Sequence, residues 1–211
     1  MLRPRRARQR VIAILAAVAL GLGLAACGDN SDSPDRASDL QTAANGDVFN
    51  DADVEFATDM IPHHAQAIEM VTLTDERPLD PAAQELANQI RDAQVPEVET
   101  MSDWLTSWGK DVPETSIDHA NAGHDMGDMS SMDSGMPGMM SAEDMAHLRN
   151  ASDAEFQDMW LQMMIEHHEG AIEMARVEAA DGTYPGAISL ARSITTSQAA
   201  EIEQIKQLLA H

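Results

Sequence analysis

The sequence is poor in cysteine and in aromatic residues, and each shortage removes a class of structure. Cysteine occurs once among 211 residues, so the chain cannot form an internal disulfide or a metal site built from several thiolates. Aromatic residues make up 3% of the chain, and the alternation of β-branched and polar residues that is typical of strands is absent. The sequence therefore predicts an all-α protein.

Basic residues are also scarce. The chain has 13 Lys and Arg residues against 36 Asp and Glu residues, which gives a net charge of −23. Such a surface repels nucleic acid and anionic headgroups and attracts cations. Acidity alone more often serves solubility than binding. The sequence contains no nucleophile triad, phosphate-binding loop or nucleotide motif. We therefore expect no catalytic residues and no nucleic-acid partner.

The N-terminus is typical of an export signal. Five arginines precede an apolar run of about 14 residues, Val11 to Leu24, which is short for a helix that spans a membrane. The stretch Leu-Ala-Ala-Cys that ends at Cys27 resembles a bacterial lipobox. We therefore expect residues 1–26 to be a lipoprotein signal peptide and Cys27 to carry a lipid. That lipid would hold the protein in the cell envelope, on the outer side of the bacterial cytoplasmic membrane.

The chain from Cys27 onward has 185 residues, enough for one domain with a sizeable core. It retains 8 basic and all 36 acidic residues, a net charge of −28. Residues 27–47 are polar and without periodicity, which predicts a flexible tether. A periodic apolar pattern follows and predicts a helical domain over residues 48–211.

An internal repeat with a constant offset of 104 residues organises this domain. The segment MIPHHAQAIEM begins at Met60 and MIEHHEGAIEM begins at Met164, and eight of their eleven positions are identical. The same offset continues downstream, where Leu, Ala, Ile, Gln and two Glu residues recur. Residues 54–105 and 158–209 are therefore predicted to be two copies of one unit.

Each copy has the signals of a helical hairpin. In the first, Asn50 or Asp51 can cap a helix that runs to about Glu76, and Asp80 caps a second helix. In the second copy, Ser152 begins a capping box with Glu155, and the sequence Asp-Gly-Thr-Tyr-Pro-Gly separates the two helices. Two hairpins, over residues 50–108 and 152–210, should pair into a four-helix bundle.

The segment between the hairpins, residues 112–141, is rich in Gly, Ser, Asp and Met and is predicted to be disordered until a helix begins near Ser141. Six methionines in 15 residues, in a segment that cannot form a core, need an explanation. Thioether and imidazole together suit Cu(I) or Ag(I). We therefore expect auxiliary metal ligands here. They are His119, His124, Met126, Met129, Met132, Met136, Met139 and Met140.

The repeated histidines fall on the apolar stripe of their helices. At about 100° per residue, Met60 and His63 share the inward arc, whereas His64 is turned about 100° towards a neighbouring helix and Glu69 points outward. Met60 and either histidine are one turn apart and could share one ion. Met164, His167, His168 and Glu173 repeat this arrangement. A hydrogen-bonded core histidine and a packing methionine would give the same pattern.

Together the two repeated motifs, each followed by a helix with the pattern Q-x2-E-x-E, resemble the DUF305 family over about residues 48–210. The resemblance implies a ferritin-like bundle and, for exported members, copper binding. It implies two sets of metal ligands, in which Glu166 takes the place of the family's proline. They are Met60, His63, His64 and Met70, and Met164, His167, His168 and Met174.

Three hypotheses follow. The leading one is a lipid-anchored protein that binds copper, as Cu(I), through Met and His for tolerance or delivery, and that meets the membrane through its lipid only. The alternative is an acidic interaction module with structural core histidines, whose protein partner the sequence does not identify. The third is a di-iron or di-manganese carboxylate enzyme, which is disfavoured because neither repeat contains Glu-x-x-His.

Overall fold

The computed structural model describes residues 40–75, 77–115 and 135–210, and within them it confirms the predicted all-α bundle. Helix α1 packs on α2 and α4 packs on α5, while contacts of α1 with α4 and of α2 with α5 close the ring. None of the helices described here is long and apolar enough to cross a membrane. The elements are β1 Gln41–Thr42, β2 Val48–Phe49, α1 Asp51–Thr72, α2 Pro81–Ser107, α3 Ala142–Asn150, α4 Asp153–Asp181 and α5 Pro185–Leu209.

The two repeated helices, α1 and α4, run antiparallel to each other. At one end of the pair, Asn50 Nδ2 donates to the carbonyl oxygen of Asp181 at 2.8 Å. At the other end, Trp160 Nε1 donates to the carbonyl oxygen of Met70 at 3.0 Å. The beginning of each helix therefore lies beside the end of the other. This arrangement relates the two hairpins by an approximate two-fold axis, which the repeat offset alone does not fix.

Two apolar clusters fill the bundle, one towards each end. One gathers residues such as Met70, Leu86 and Trp160, and the other gathers residues such as Phe56, Leu105 and Ala175. Between them, in the middle of all four long helices, the side chains are polar. We call this set the polar layer. It comprises His63, His64, Gln94, Glu97, His167, His168, Gln198 and Glu201.

Side-chain caps fix where the helices of the first hairpin begin. Asn50 and Asp53 form a complete capping box at the start of α1. The carboxylate of Asp53 also accepts the backbone N–H groups of Thr183 and Tyr184, so this cap ties α1 to the turn between α4 and α5. Asp80 caps α2 as predicted, with Pro at the first helical position.

One predicted helix end and one predicted side-chain cap are wrong. Helix α1 ends at Thr72 rather than near Glu76, because Thr74 turns back and both its N–H and its hydroxyl donate to the carbonyl oxygen of Val71. At the start of α4, Ser152 makes no side-chain cap. Its hydroxyl instead donates to the carboxylate of Glu155 at 2.6 Å, so the predicted capping box does not form, although Ser152 is still the residue before the helix.

Residues 40–47, which the sequence assigns to a flexible tether, belong to a folded β-hairpin. β1 pairs antiparallel with β2, and Gly46 turns the chain with a φ of 94°. The ring of Phe49 stacks on Trp108 with centroids 4.5 Å apart. Strands of two residues give too little periodicity to be read from the sequence. The rest of the tether lies outside the described residues.

Residues 135–140, which the sequence assigns to the disordered linker, also follow a defined course, and we call them the strap. A Cβ atom on Gly170 would lie 2.0 Å from the carbonyl oxygen of Pro137, and one on Gly138 would lie 2.9 Å from the Cα of Gly170. The strap therefore packs backbone to backbone on α4. Gln66 and Met140 exchange two hydrogen bonds of 2.8 Å, which attach the strap to α1 as well.

Candidate metal centre

The structure brings the four predicted histidines together in the polar layer. All four are 0% exposed. The rings of His63 and His167 have centroids 3.8 Å apart, and those of His167 and His168 are 6.5 Å apart. The crossing of α1 and α4 therefore places imidazoles from both repeats side by side, away from solvent.

A carboxylate from the partner helix of each hairpin holds the outer histidine of each pair. His64 Nε2 lies 2.7 Å from Glu97 Oε2 on α2, and His168 Nε2 lies 2.6 Å from Glu201 Oε2 on α5. An ionised carboxylate can only accept, so Nε2 carries the proton and Nδ1 of a neutral ring has a free lone pair. A carboxylate that orients a histidine in this way is a frequent second shell of metal sites.

Five nitrogen atoms on these rings are buried and have no hydrogen-bond partner. They are His63 Nδ1, His64 Nδ1, His167 Nδ1, His167 Nε2 and His168 Nδ1. Each such group costs about 1–3 kcal/mol when nothing replaces the water that it has lost. Four buried side chains with this defect in one layer fit a ligand that accepts lone pairs, such as a metal ion.

Burial also keeps the two central rings neutral. Desolvation, with a smaller contribution from the neighbouring His64, lowers the pKa of His63 to about 3. Desolvation, followed by the proximity of His63 and His168, lowers the pKa of His167 well below its usual value. A neutral imidazole is the form that binds a metal. His63 and His167 therefore present lone pairs to a metal without first having to release protons at neutral pH.

His63 and His167 differ in their contact with the strap. The carbonyl oxygen of Pro137 lies 3.0 Å from His63 Nε2, so Nε2 carries the proton and donates a hydrogen bond to it. The lone pair of His63 that remains free to bind a metal is therefore on Nδ1. His167 makes no such bond to the strap on either nitrogen. The strap therefore makes the two halves of the layer unequal, although the repeats that build it are alike.

The predicted methionines divide into two groups. Met60 and Met164 are 0% exposed and lie one helical turn before His63 and His167. Met70 is buried in an apolar cluster, and Met174 is half-buried beside Pro137 in a cavity of about 190 Å³. Both lie two turns beyond the histidines, about 10 Å along the helix axis.

The auxiliary ligands predicted in the linker are only partly covered by the structure. Met136 and Met139 lie half-buried on the strap, and Met140 is 7% exposed. The lipidation site and the other linker ligands lie outside the described residues. They are Cys27, His119, His124, Met126, Met129 and Met132.

Glu97 and Glu201 are functional candidates that sequence reasoning missed. Both recur at the offset of 104 and follow the histidine motifs by 33 residues, which is the signal that could have identified them. Gln94 and Gln198, one turn earlier, recur in the same way and are each 2% exposed with unpaired side-chain atoms.

Within the three described ranges, no three His, Asp, Glu or Cys side chains are arranged to hold one ion. A metal in the polar layer therefore has to use two imidazoles or add a thioether. Glu69 and Glu173, the carboxylates of the repeated motifs, do not reach the layer. Glu69 lies 3.5 Å from Arg149, and Glu173 is exposed.

Comparison with known proteins decides the family. The model of the domain of unknown function DUF305 matches residues 53–209. The chain belongs to the DUF305 family. No functionally curated protein matches it.

Several solved structures share this fold. A fragment from Deinococcus radiodurans is 27% identical, with a TM-score of 0.63, and the match covers 81% of this chain and 99% of that one. A Streptomyces coelicolor DUF305 protein assigned as secreted is 31% identical, with a TM-score of 0.63 and coverages of 75% and 92%. CopM in its Cu(I)-bound form is 26% identical, with a TM-score of 0.58 and coverages of 74% and 94%.

Proposed function

We propose that this DUF305 protein is an exported, lipid-anchored, non-catalytic metal-binding protein that holds copper as Cu(I) in its polar layer. Its role would be copper tolerance or copper delivery. The observation that carries the proposal is the set of buried, unpartnered histidine nitrogens at the crossing of α1 and α4. The similarity to CopM, which is solved in Cu(I)-, Cu(II)- and Ag-bound forms, supports the same choice of metal.

The proposed ligands are imidazoles from both repeats, with thioethers from Met60 and Met164. Neutral imidazole and thioether are intermediate and soft donors, which favour Cu(I) over ions that prefer oxygen. Glu97 and Glu201 would act as positioning residues, because each fixes the tautomer of the histidine that it contacts. Met70 and Met174 are outside this ligand set, since they lie two turns from the histidines on the same helices.

The carboxylate enzyme is the weaker candidate for a physical reason. The two carboxylates that reach the layer each contact a histidine nitrogen at hydrogen-bond distance. Each therefore serves the imidazole beside it. Sites of the di-iron type need glutamates that bind the metal themselves, together with Glu-x-x-His on two helices.

The test is a competition titration with Cu(I) and a chelator of known affinity, on protein that begins at residue 28 and retains every described residue. The first variant changes His63, His64, His167 and His168 to Ala, and the second deletes residues 119–134 but keeps the strap. Loss of tight binding in the first variant alone supports the proposal. Loss in the deletion alone would move the function to the linker.

The titration needs a control for folding, because four buried substitutions can unfold the bundle. The helical circular dichroism of each variant is therefore measured before copper is added. A parent protein that does not compete with the chelator would contradict copper binding altogether. It would favour an interaction module with structural histidines.

A further inference from the structure

A second group of soft donors lies outside the polar layer, at the surface between α3, α4 and the strap. A cavity of about 280 Å³ opens there. Three methionines, one histidine and two carboxylates are among the residues that line it. They are Met140, Met159, Met163, His147, Asp144 and Glu166.

These side chains come from three different segments, which are the strap, α3 and α4. Met159 and Met163 are one turn apart on α4 and partly buried against an apolar cluster. Met140 belongs to the strap, where both its N–H and its carbonyl oxygen are bonded to Gln66. His147 is exposed on α3, so its ring can be reached from solvent.

The repeat shows that packing does not require methionine at these positions. At the offset of 104, the counterparts of Met159 and Met163 are Glu55 and Asp59. These two carboxylates line another cavity beside the strap, together with Pro137. The same two positions therefore accept charged side chains in the first hairpin and thioethers in the second. The two cavities therefore differ in chemistry, with carboxylates in one and thioethers in the other.

We propose that the cavity formed by Met140, Met159, Met163 and His147 is a second binding site for a soft monovalent ion, Cu(I) or Ag(I). Thioethers and imidazole supply the donors, and Asp144 and Glu166 attract the cation from solvent. This site opens to solvent, whereas the histidines of the polar layer are buried. An ion bound here should therefore exchange with solvent faster than one in the polar layer. The site does not depend on what the polar layer binds.

The experiment is a titration with Ag(I) alone, which undergoes no redox chemistry here, on protein whose methionine methyl groups carry 13C. The methyl signals of Met140, Met159 and Met163 should move together on one saturable step. Changing Met159 and Met163 to Leu keeps apolar volume and removes the sulfur atoms. This variant should lose one equivalent of bound Ag(I), while the affinity for the remaining ions stays within about twofold.

Two further variants make the result specific. Met101→Leu, at a buried methionine away from this cavity, is the matched control and should bind as the parent does. Changing Met159 to Glu and Met163 to Asp installs the residues of the first repeat, and it should also remove one equivalent of Ag(I) without loss of helical signal.

The same titration separates this site from the polar layer. In a variant with His63 and His167 changed to Leu, the methyl shifts of Met159 and Met163 should persist. If the polar layer binds no ion but the second site does, that variant should bind as many Ag(I) ions as the parent. The second site is overturned if the three methyl signals do not move, or if the Met159 and Met163 variants bind as many ions as the parent.

Discussion

The two hairpins repeat the same histidine–glutamate contact on their inner faces and carry different chemistry on their outer faces. Inside, His64 meets Glu97 at 2.7 Å and His168 meets Glu201 at 2.6 Å. Outside, Asp59 of the first hairpin corresponds to Met163 of the second. The inner residues of both copies contribute to one polar layer, whereas Asp59 borders one cavity beside the strap and Met163 borders another. The chemistry is therefore shared where the copies meet and differs where each faces solvent.

Removing the two central imidazoles of the inner faces should have the largest effect on copper binding. Changing His63 and His167 to Leu should lower the Cu(I) affinity by at least about 1000-fold, because both central donors are lost. The free energy of unfolding of the metal-free protein should stay within about 1 kcal/mol, since two poorly satisfied polar groups are replaced by apolar ones. Chelator competition and urea unfolding measure the two effects. Structural histidines would instead give a large loss of stability and no change in copper binding.

Changing only the carboxylates that position the histidines should cause a smaller loss of Cu(I) affinity. Glu97→Gln with Glu201→Gln should weaken Cu(I) binding by about 10- to 100-fold, as expected for the second shell of a metal site. Glu99→Gln with Glu203→Gln is the matched control. These glutamates are exposed on the same helices, and their change alters the net charge equally. Equal effects of the two pairs would mean that charge, and not positioning, is responsible.

The strap makes the two halves unequal, and Gly170→Ala should remove that inequality. The new Cβ atom would meet the backbone of Pro137, which cannot move without the strap. We expect a loss of about 1–3 kcal/mol in unfolding free energy, because the close contact must open. The bond from His63 Nε2 to Pro137 should be lost with it. Nitrogen NMR of the histidine rings would show this, and an unchanged His63 spectrum would contradict the assigned contact.

The pH dependence of stability separates the polar layer from a buried carboxyl at the end of α4. The pKa of His63 is lowered to about 3, so unfolding takes up a proton below about pH 6.5, and stability should fall as the pH drops from there. Burial and the neighbouring Asp53 raise the pKa of Glu178 to about 9. Unfolding therefore releases a proton above about pH 4.5, and stability should also fall as the pH rises towards 9.

Glu178→Gln should flatten the alkaline part of this profile and leave the acidic part in place. The stability gained by the variant over the parent should grow as the pH rises, by up to about 5 kcal/mol between about pH 5 and pH 8.5, measured by urea unfolding of the metal-free protein. A parallel profile for the two proteins would show that Glu178 does not titrate in this way.

The bundle and the position of the histidines were predictable because they depend on local periodicity. The stripe that contains Met60 and His63 and the caps at Asn50 and Asp80 are encoded within a few residues of each other. The antiparallel pairing of α1 and α4 was not predictable, since a long linker between the hairpins permits either connection.

The strap and the positioning carboxylates escaped prediction for different reasons. The strap is held by contact between the backbones of Gly138 and Gly170, and glycine in a Met-rich segment gives no periodic signal. Glu97 is separated by 33 residues from His64, so only the fold shows that the two side chains meet. The repeat contained the necessary clue, because Glu97 and Glu201 recur at the offset of the histidines.

X-ray absorption of the complex with one equivalent of Cu(I) tests the central claim most directly. The account predicts scattering from at least one imidazole, with at most two sulfur atoms from Met60 and Met164, and it predicts that the imidazole signal is lost when His63, His64, His167 and His168 are all changed to Ala. A site with sulfur ligands only, unchanged in that variant, would place the tight copper outside the polar layer and contradict the account.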